Sequence, residues 1–196
     1  MWSYEEIDEY LKQNLTESRY KHTMGVVYTA ELLAEKNGES KERARMAALV
    51  HDCAKNMKIN EQFEFLKSRN IELDEITINS PQILHGIVGS IVAKEVMGIA
   101  DEEILSAVKH HTTGKKSMTL LEEIIYIADY IEPNRNYNGV EELRQLTFDN
   151  LDEGALKGFD NTITYVIKLG QIVHPLSIDA RNDLLIKIKN QKHRLV

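Results

Sequence analysis

Apolar and polar positions recur at helical spacing along almost the whole chain. Ser3 and Glu6 have the spacing of a capping box, and Ile7, Tyr10 and Leu11 share one face behind them. Thr16 opens a second predicted helix that runs to Gly38, a fitting residue just past a helix end. Ser40 opens a third, through Ala44, Ala47 and Ala48 to His51, and Asn60 starts a short one carrying Phe63 and Leu66. Ser80 and Pro81 begin the next, with proline at the first helical position, and Leu84, Ile87, Val88 and Ile91 carry it to Gly98. Asp101 caps a segment with Ile104 and Val108 that leads to His111; Thr119 and Glu122 form another capping box, on a helix that ends before Pro133. Two more helices are expected, from about Asp152 to Ile172 and from Ser177 to the C-terminus. The stretch from Ile71 to Ile78 alternates loosely but is short and acidic, and reads as a loop. With no sustained strand alternation, repeat or low-complexity linker, the expectation is an all-α, single-domain helical bundle over residues 1–196.

Composition and charge narrow the partners. An apolar fraction of 42% and a charged fraction of 28% are those of an ordinary globular chain long enough to bury a core. The net charge of -7 argues against nucleic acid or an anionic membrane as a partner, because both require a basic face. Cys53 is the lone cysteine, so no internal disulfide forms. The N-terminal residues lack a secretion pattern and no apolar run reaches membrane-spanning length, so a cytoplasmic protein is expected. Trp2 and Tyr4 fit a homodimer contact or terminal core packing equally well.

The candidate chemistry lies in His22, His51, Asp52, His85, His111 and Asp129, which fall on or at the ends of successive predicted helices. Their gaps are about one helix plus a loop, so antiparallel neighbours can converge these side chains on one point. Their settings are apolar: His51 follows Met46-Ala47-Ala48-Leu49-Val50, and Asp129 is embedded in Ile124-Ile125-Tyr126-Ile127-Ala128. Burying such a carboxylate unpaired costs several kcal/mol, on the order of a broken buried ion pair. Each histidine taken singly fits a hydrogen-bonded core residue; the set together points to a divalent metal that supplies the opposite charge. Imidazole and carboxylate without thiolate suit iron, manganese, nickel, cobalt or zinc, and suit calcium poorly.

The segments Arg19-Tyr20-Lys21-His22, His51-Asp52-Cys53-Ala54-Lys55, His85-Gly86, His111-Thr112-Thr113-Gly114, Tyr126 to Arg135 and His174-Pro175 carry a resemblance. The chain resembles the HD-domain superfamily of metal-dependent phosphohydrolases, and within it the YqeK-type symmetrical diadenosine tetraphosphate hydrolases of bacteria. The resemblance implies an all-α HD-type bundle. It implies that His22, His51, Asp52 and Asp129 hold a first metal, iron or a similar divalent ion. His85 and His111 would hold a second ion or face the substrate phosphates, and Asp52 would bridge. The implied reaction is hydrolysis of diadenosine tetraphosphate to two ADP by a metal-activated hydroxide.

Asp52 and Lys55 are then expected to act in catalysis. Lys55 stands three residues after Asp52, and Arg19 three before His22, which puts each on its partner's side of a helix. Both are assigned to phosphate contacts, with Arg135, and with Thr112, Thr113 and Gly114 as hydroxyl and backbone N–H donors. His110 points away from His111 around a helix; Cys53 reads as a buried small residue; His174-Pro175 is a turn or a pocket wall; His193 lies in a basic, solvated tail from Lys187 to Arg194. Alternative readings are another HD-type hydrolase, acting on nucleoside monophosphates or guanosine polyphosphate alarmones, and a non-catalytic nucleotide-sensing module.

Overall fold

In the computed structural model residues 1–193 are described, so Arg194, the end of the expected basic tail, lies outside the described residues. Polar caps start the helices where the sequence places them. Helix α1 (Tyr4–Asn14) opens with the Ser3–Glu6 capping box, α2 (Glu17–Asn37) on Thr16, and α3 (Lys41–Val50) on Ser40. Asp101 caps α7 (Glu102–His110), and the Thr119–Glu122 box opens α8 (Leu120–Ile131). Between them come α4 (Ile59–Lys67), α5 (Glu75–Ile78) and α6 (Leu84–Glu95); after them come α9 (Val140–Asp149), α10 (Leu151–Lys168) and α11 (Pro175–His193). No β-strand occurs among the described residues, and the fold is an all-α bundle.

Apolar residues surround α8 on nearly every face, which requires a central position. Leu121, Ile124, Ile125, Ile127 and Ala128 are fully buried, and the helix packs against α2, α3, α7 and α10. The alanines Ala30, Ala34, Ala44, Ala47 and Ala48 are fully buried along α2 and α3, where small side chains let the two helices close on each other. These contacts bring the middle of α2, the end of α3, the start of α6, the end of α7 and the end of α8 to one place.

Several expectations need correction. The Ile71–Ile78 stretch contains a one-turn helix, because Asp74 caps the N–H of Thr77. Pro81 opens a 3-10 turn, and α6 begins only at Leu84 and ends at Glu95, short of Gly98. Helix α4 begins one residue before Asn60, α10 stops at Lys168 rather than Ile172, and α11 starts at Pro175 rather than Ser177. Helix α9 was not expected at all. His193 is exposed, as expected for the basic tail, and Lys187 in that tail also pairs, its Nζ lying 2.7 Å from Asp152 and 3.4 Å from Glu123. The terminal aromatics are used within the chain. Trp2 N–H donates to the Met97 carbonyl and its ring packs edge-on against Tyr10, while Tyr4 faces Arg45. No helix among the described residues is long and apolar enough to cross a membrane.

Candidate metal centre

Asp52 follows the end of α3, where the chain tightens into i→i+3 turns: Cys53 N–H donates to the Val50 carbonyl and Lys55 N–H to the Asp52 carbonyl. In such turns residues three apart eclipse, so Asp52 and Lys55 point the same way although the α-helix has stopped. Asp52 is 1% exposed, and its two oxygens face different neighbours. Oδ2 lies 3.5 Å from His51 Nε2, 3.8 Å from His22 Nε2 and 2.9 Å from Arg19 Nη1. Oδ1 lies 3.2 Å from His85 Nε2 and 3.6 Å from His111 Nε2. Asp129, from α8, joins the first group, with Oδ1 at 3.0 Å from His22 Nε2. All six predicted residues therefore meet around one carboxylate.

The imidazoles are aimed. The Nδ1–H groups of His51 and His111 donate to the Ala48 and Val108 carbonyls at 2.6 and 2.7 Å. His22 Nδ1 pairs with Glu132 Oε1 at 3.1 Å. A neutral imidazole that donates from Nδ1 presents a lone pair on Nε2, the state a metal ligand requires. His85 reaches His111 because Gly86 lets α6 approach α7: a Cβ there would lie 2.9 Å from the Lys109 carbonyl oxygen. The two Nε2 atoms are 3.0 Å apart, and Lys55 Nζ is 3.1 Å from that of His85.

The electrostatics are those of charge held out of water. Burial pushes the Asp52 carboxyl upward, but His51, His111 and His85 outweigh it and hold the group well below its ordinary value. Burial likewise opposes ionisation of Asp129, and His22, His51 and Arg135 reverse it. His51 is raised, because the Asp52 charge overcomes the penalty of burial. Burial lowers His85 to about 4, leaving it neutral at physiological pH. Lys55 is lowered by burial, against the pull of Asp52.

A divalent cation fits this donor set. His22 Nε2, His51 Nε2 and Asp52 Oδ1 are buried and lack a hydrogen-bond partner, although carboxylate oxygens stand close to both rings. Buried polar atoms without partners are costly, and these, lying among imidazole nitrogens and carboxylate oxygens, call for an electrophile between them. Among the described residues two triads have donor atoms mutually close enough to hold an ion: His22, His51 and Asp129, and His51, Asp52 and His111.

The phosphate-contact residues divide. Arg135 donates to Asp129 from Nη2 at 2.6 Å, and Arg19 reaches Asp52; both also edge an open recess with Lys21. The Thr112–Gly114 turn differs from its expectation. Gly114 N–H donates to the His110 carbonyl and Thr113 Oγ1 to the Gly114 carbonyl, so both donors are engaged within the chain, although Thr113 still lines the recess beside Thr112. Thr112 Oγ1 alone is buried without a partner, beside a recess of about 310 Å³ that reaches Lys55 and Asp129. His174 lines that recess and pairs with Thr77, and His110 lines a neighbouring one. Sequence reasoning assigned no role to Glu132. It lies past the last turn of α8, where no periodicity marks it as buried, yet it is 1% exposed.

Comparison with known proteins agrees with this geometry. Residues 19–134 match the HD domain family model. A protein of Halalkalibacterium halodurans named symmetrical bis(5'-nucleosyl)-tetraphosphatase is 38% identical, over 91% of this chain and 95% of its own length. One of the same name from Bacillus subtilis is 40% identical, over 84% of this chain and 88% of its own. The crystal structure of a "predicted HD superfamily hydrolase involved in NAD metabolism" from Clostridium acetobutylicum superposes with a TM-score of 0.93 at 48% identity, covering 95% of this chain and 99% of that one. The chain belongs to the HD-domain family, in the group that contains the symmetrical bis(5'-nucleosyl)-tetraphosphatases.

Proposed function

We propose that this protein is a metal-dependent hydrolase that cleaves dinucleoside tetraphosphates symmetrically, releasing two ADP from diadenosine tetraphosphate. The observation that carries the reading is the division of Asp52: one oxygen toward His22 and His51, the other toward His85 and His111. A carboxylate so placed would serve as a donor to ions on both of its sides. His22, His51, Asp52 and Asp129 would hold the first ion, and His85 and His111 the second. Iron is the ion we favour, with manganese, cobalt, nickel and zinc as the alternatives that imidazole and carboxylate donors admit. When bound, such ions supply Lewis acidity toward phosphoryl oxygens and activate water as a nucleophile.

The remaining work falls to the chain. Lys55, beside His85 at the mouth of the recess, places its ammonium where charge develops on the leaving phosphate oxygen. Arg19 and Arg135 bind the flanking phosphates, with guanidinium planes suited to paired oxygens. Thr112 donates its hydroxyl. Tyr126, Tyr130 and Ile163 wall the recess and suit a nucleoside, and a wider one beyond Tyr130 and Tyr165 carries Arg135, Lys157 and Lys168. Helix α10 supplies part of both walls from outside the family-matched residues, which supports reading 1–196 as one functional domain. The lone cysteine, Cys53, is buried, and a chain without a disulfide framework suits a cytoplasmic setting.

The test is product analysis of the metal-loaded protein acting on diadenosine tetraphosphate. ADP as sole nucleotide product is expected. ATP together with AMP would show attack at an outer phosphorus and refute the proposal.

A further inference from the structure

We propose that Glu132 is the positioning residue that fixes the orientation and tautomer of His22 as a metal ligand, an inference that rests on the metal-centre reading above. His51 and His111 sit at helix ends and satisfy Nδ1 with the carbonyl three residues back. His22 sits inside α2, where such carbonyls are committed to the helix, so its Nδ1 must find a partner elsewhere. Glu132 Oε1 provides it at 3.1 Å, and a carboxylate behind a ligating imidazole both orients the ring and strengthens its donor nitrogen.

Glu132 is itself held from several sides. Its Oε2 accepts from Asn134 N at 2.7 Å and from Asn134 Nδ2 at 2.8 Å. Arg144, on α9, donates to the Ile131, Glu132 and Arg135 carbonyls and so pins the turn that carries the carboxylate. Gly25, one turn after His22 on the same face of α2, leaves the space: a Cβ there would lie 2.2 Å from Glu132 Oε2 and 3.0 Å from Asn134 Nδ2. A buried carboxylate with a cleared approach, two N–H donors on one oxygen and a histidine on the other is built for that histidine.

The experiment is titration of the metal-free full chain with Co²⁺ alone, by calorimetry and by the visible absorption of the bound ion. Long-range ¹H–¹⁵N spectra of the Zn²⁺-loaded chain read the His22 tautomer alongside. Glu132→Ala is expected to weaken Co²⁺ binding roughly 10- to 100-fold and to remove the preference for Nδ1–H at His22, with the His51 and His111 signals unchanged. Asn134→Ala leaves Glu132 in place but frees part of Oε2; about a 5-fold loss is expected, the equivalent of one net hydrogen bond. Co²⁺ affinity within twofold of the parent in Glu132→Ala, with the tautomer intact, overturns the assignment. Should that variant not fold, Asn134→Ala decides, and parent affinity in it overturns the assignment equally. A parent protein that takes up no Co²⁺ overturns the metal-centre reading and this inference with it.

Discussion

Helix α8 carries Glu123, a buried carboxylate, and Asp129, a part-buried one at the site, and the protein treats them in opposite ways. Asp129 is met by His22 and Arg135, and stays ionised against the cost of burial. Among the described residues Glu123 has one cation in reach, Lys187 at 3.4 Å, which is half-exposed and pairs more closely with Asp152 at 2.7 Å. Burial, reinforced by the Asp152 charge, therefore pushes Glu123 up to about 8, and its Oε1 has no partner. A buried carboxylate either gathers cations or takes a proton. Where the chain gathers donors it has assembled a site for chemistry; where it does not, it has only a structural contact between α8, α10 and α11.

Substitutions sharpen this contrast. The largest effect is expected at the metal centre: Asp52→Ala should lose bound metal and lower kcat by at least about 10³-fold, measured by elemental analysis and turnover together. Full activity in that variant would place the chemistry elsewhere. Lys55→Met should keep the metal but reduce kcat on the order of 10²-fold, because it removes charge stabilisation and no ion ligand.

At the other end of α8 the readout is stability. The folded pKa of Glu123 lies above its unfolded value, so its contribution is fully present below the unfolded value near 4.5 and is lost as pH rises through about 8. Glu123→Gln should remove that dependence: its Tm should gain on the parent by roughly 7–14 °C between pH 5.5 and pH 8.5, read by thermal melts at both. A parallel fall of parent and variant would mean Glu123 is ionised throughout. The smallest effect is expected for Lys187→Ala, about 0.5 kcal/mol, since a half-exposed ammonium is well solvated without its partners.

Much of this architecture is legible where local chemistry dictates it. Ser3 with Glu6, and Thr119 with Glu122, announce helix starts because the cap is made by the side chains themselves. His22, His51, Asp52, His85, His111 and Asp129 are legible as a set because polar residues in apolar helical settings need a common purpose. Helix α9 escaped because Gly139 precedes it without a capping side chain, although Val140 and Leu143 keep helical spacing. That helix carries Arg144, so the clamp on Glu132 was hidden with it. The pairing of Arg19 with Asp52 and the spent donors of Thr113 and Gly114 depend on tertiary approach, which spacing along the chain does not encode.

The central claim is that Asp52 is the shared oxygen donor of a metal centre. Anomalous diffraction from crystals grown with Mn²⁺ tests it most directly. The account predicts density about 2.0–2.3 Å from Asp52 Oδ2, His51 Nε2 and Asp129, with a second peak on the Oδ1 side near His85 and His111. Density confined to surface carboxylates, with none within coordination distance of Asp52, would contradict it.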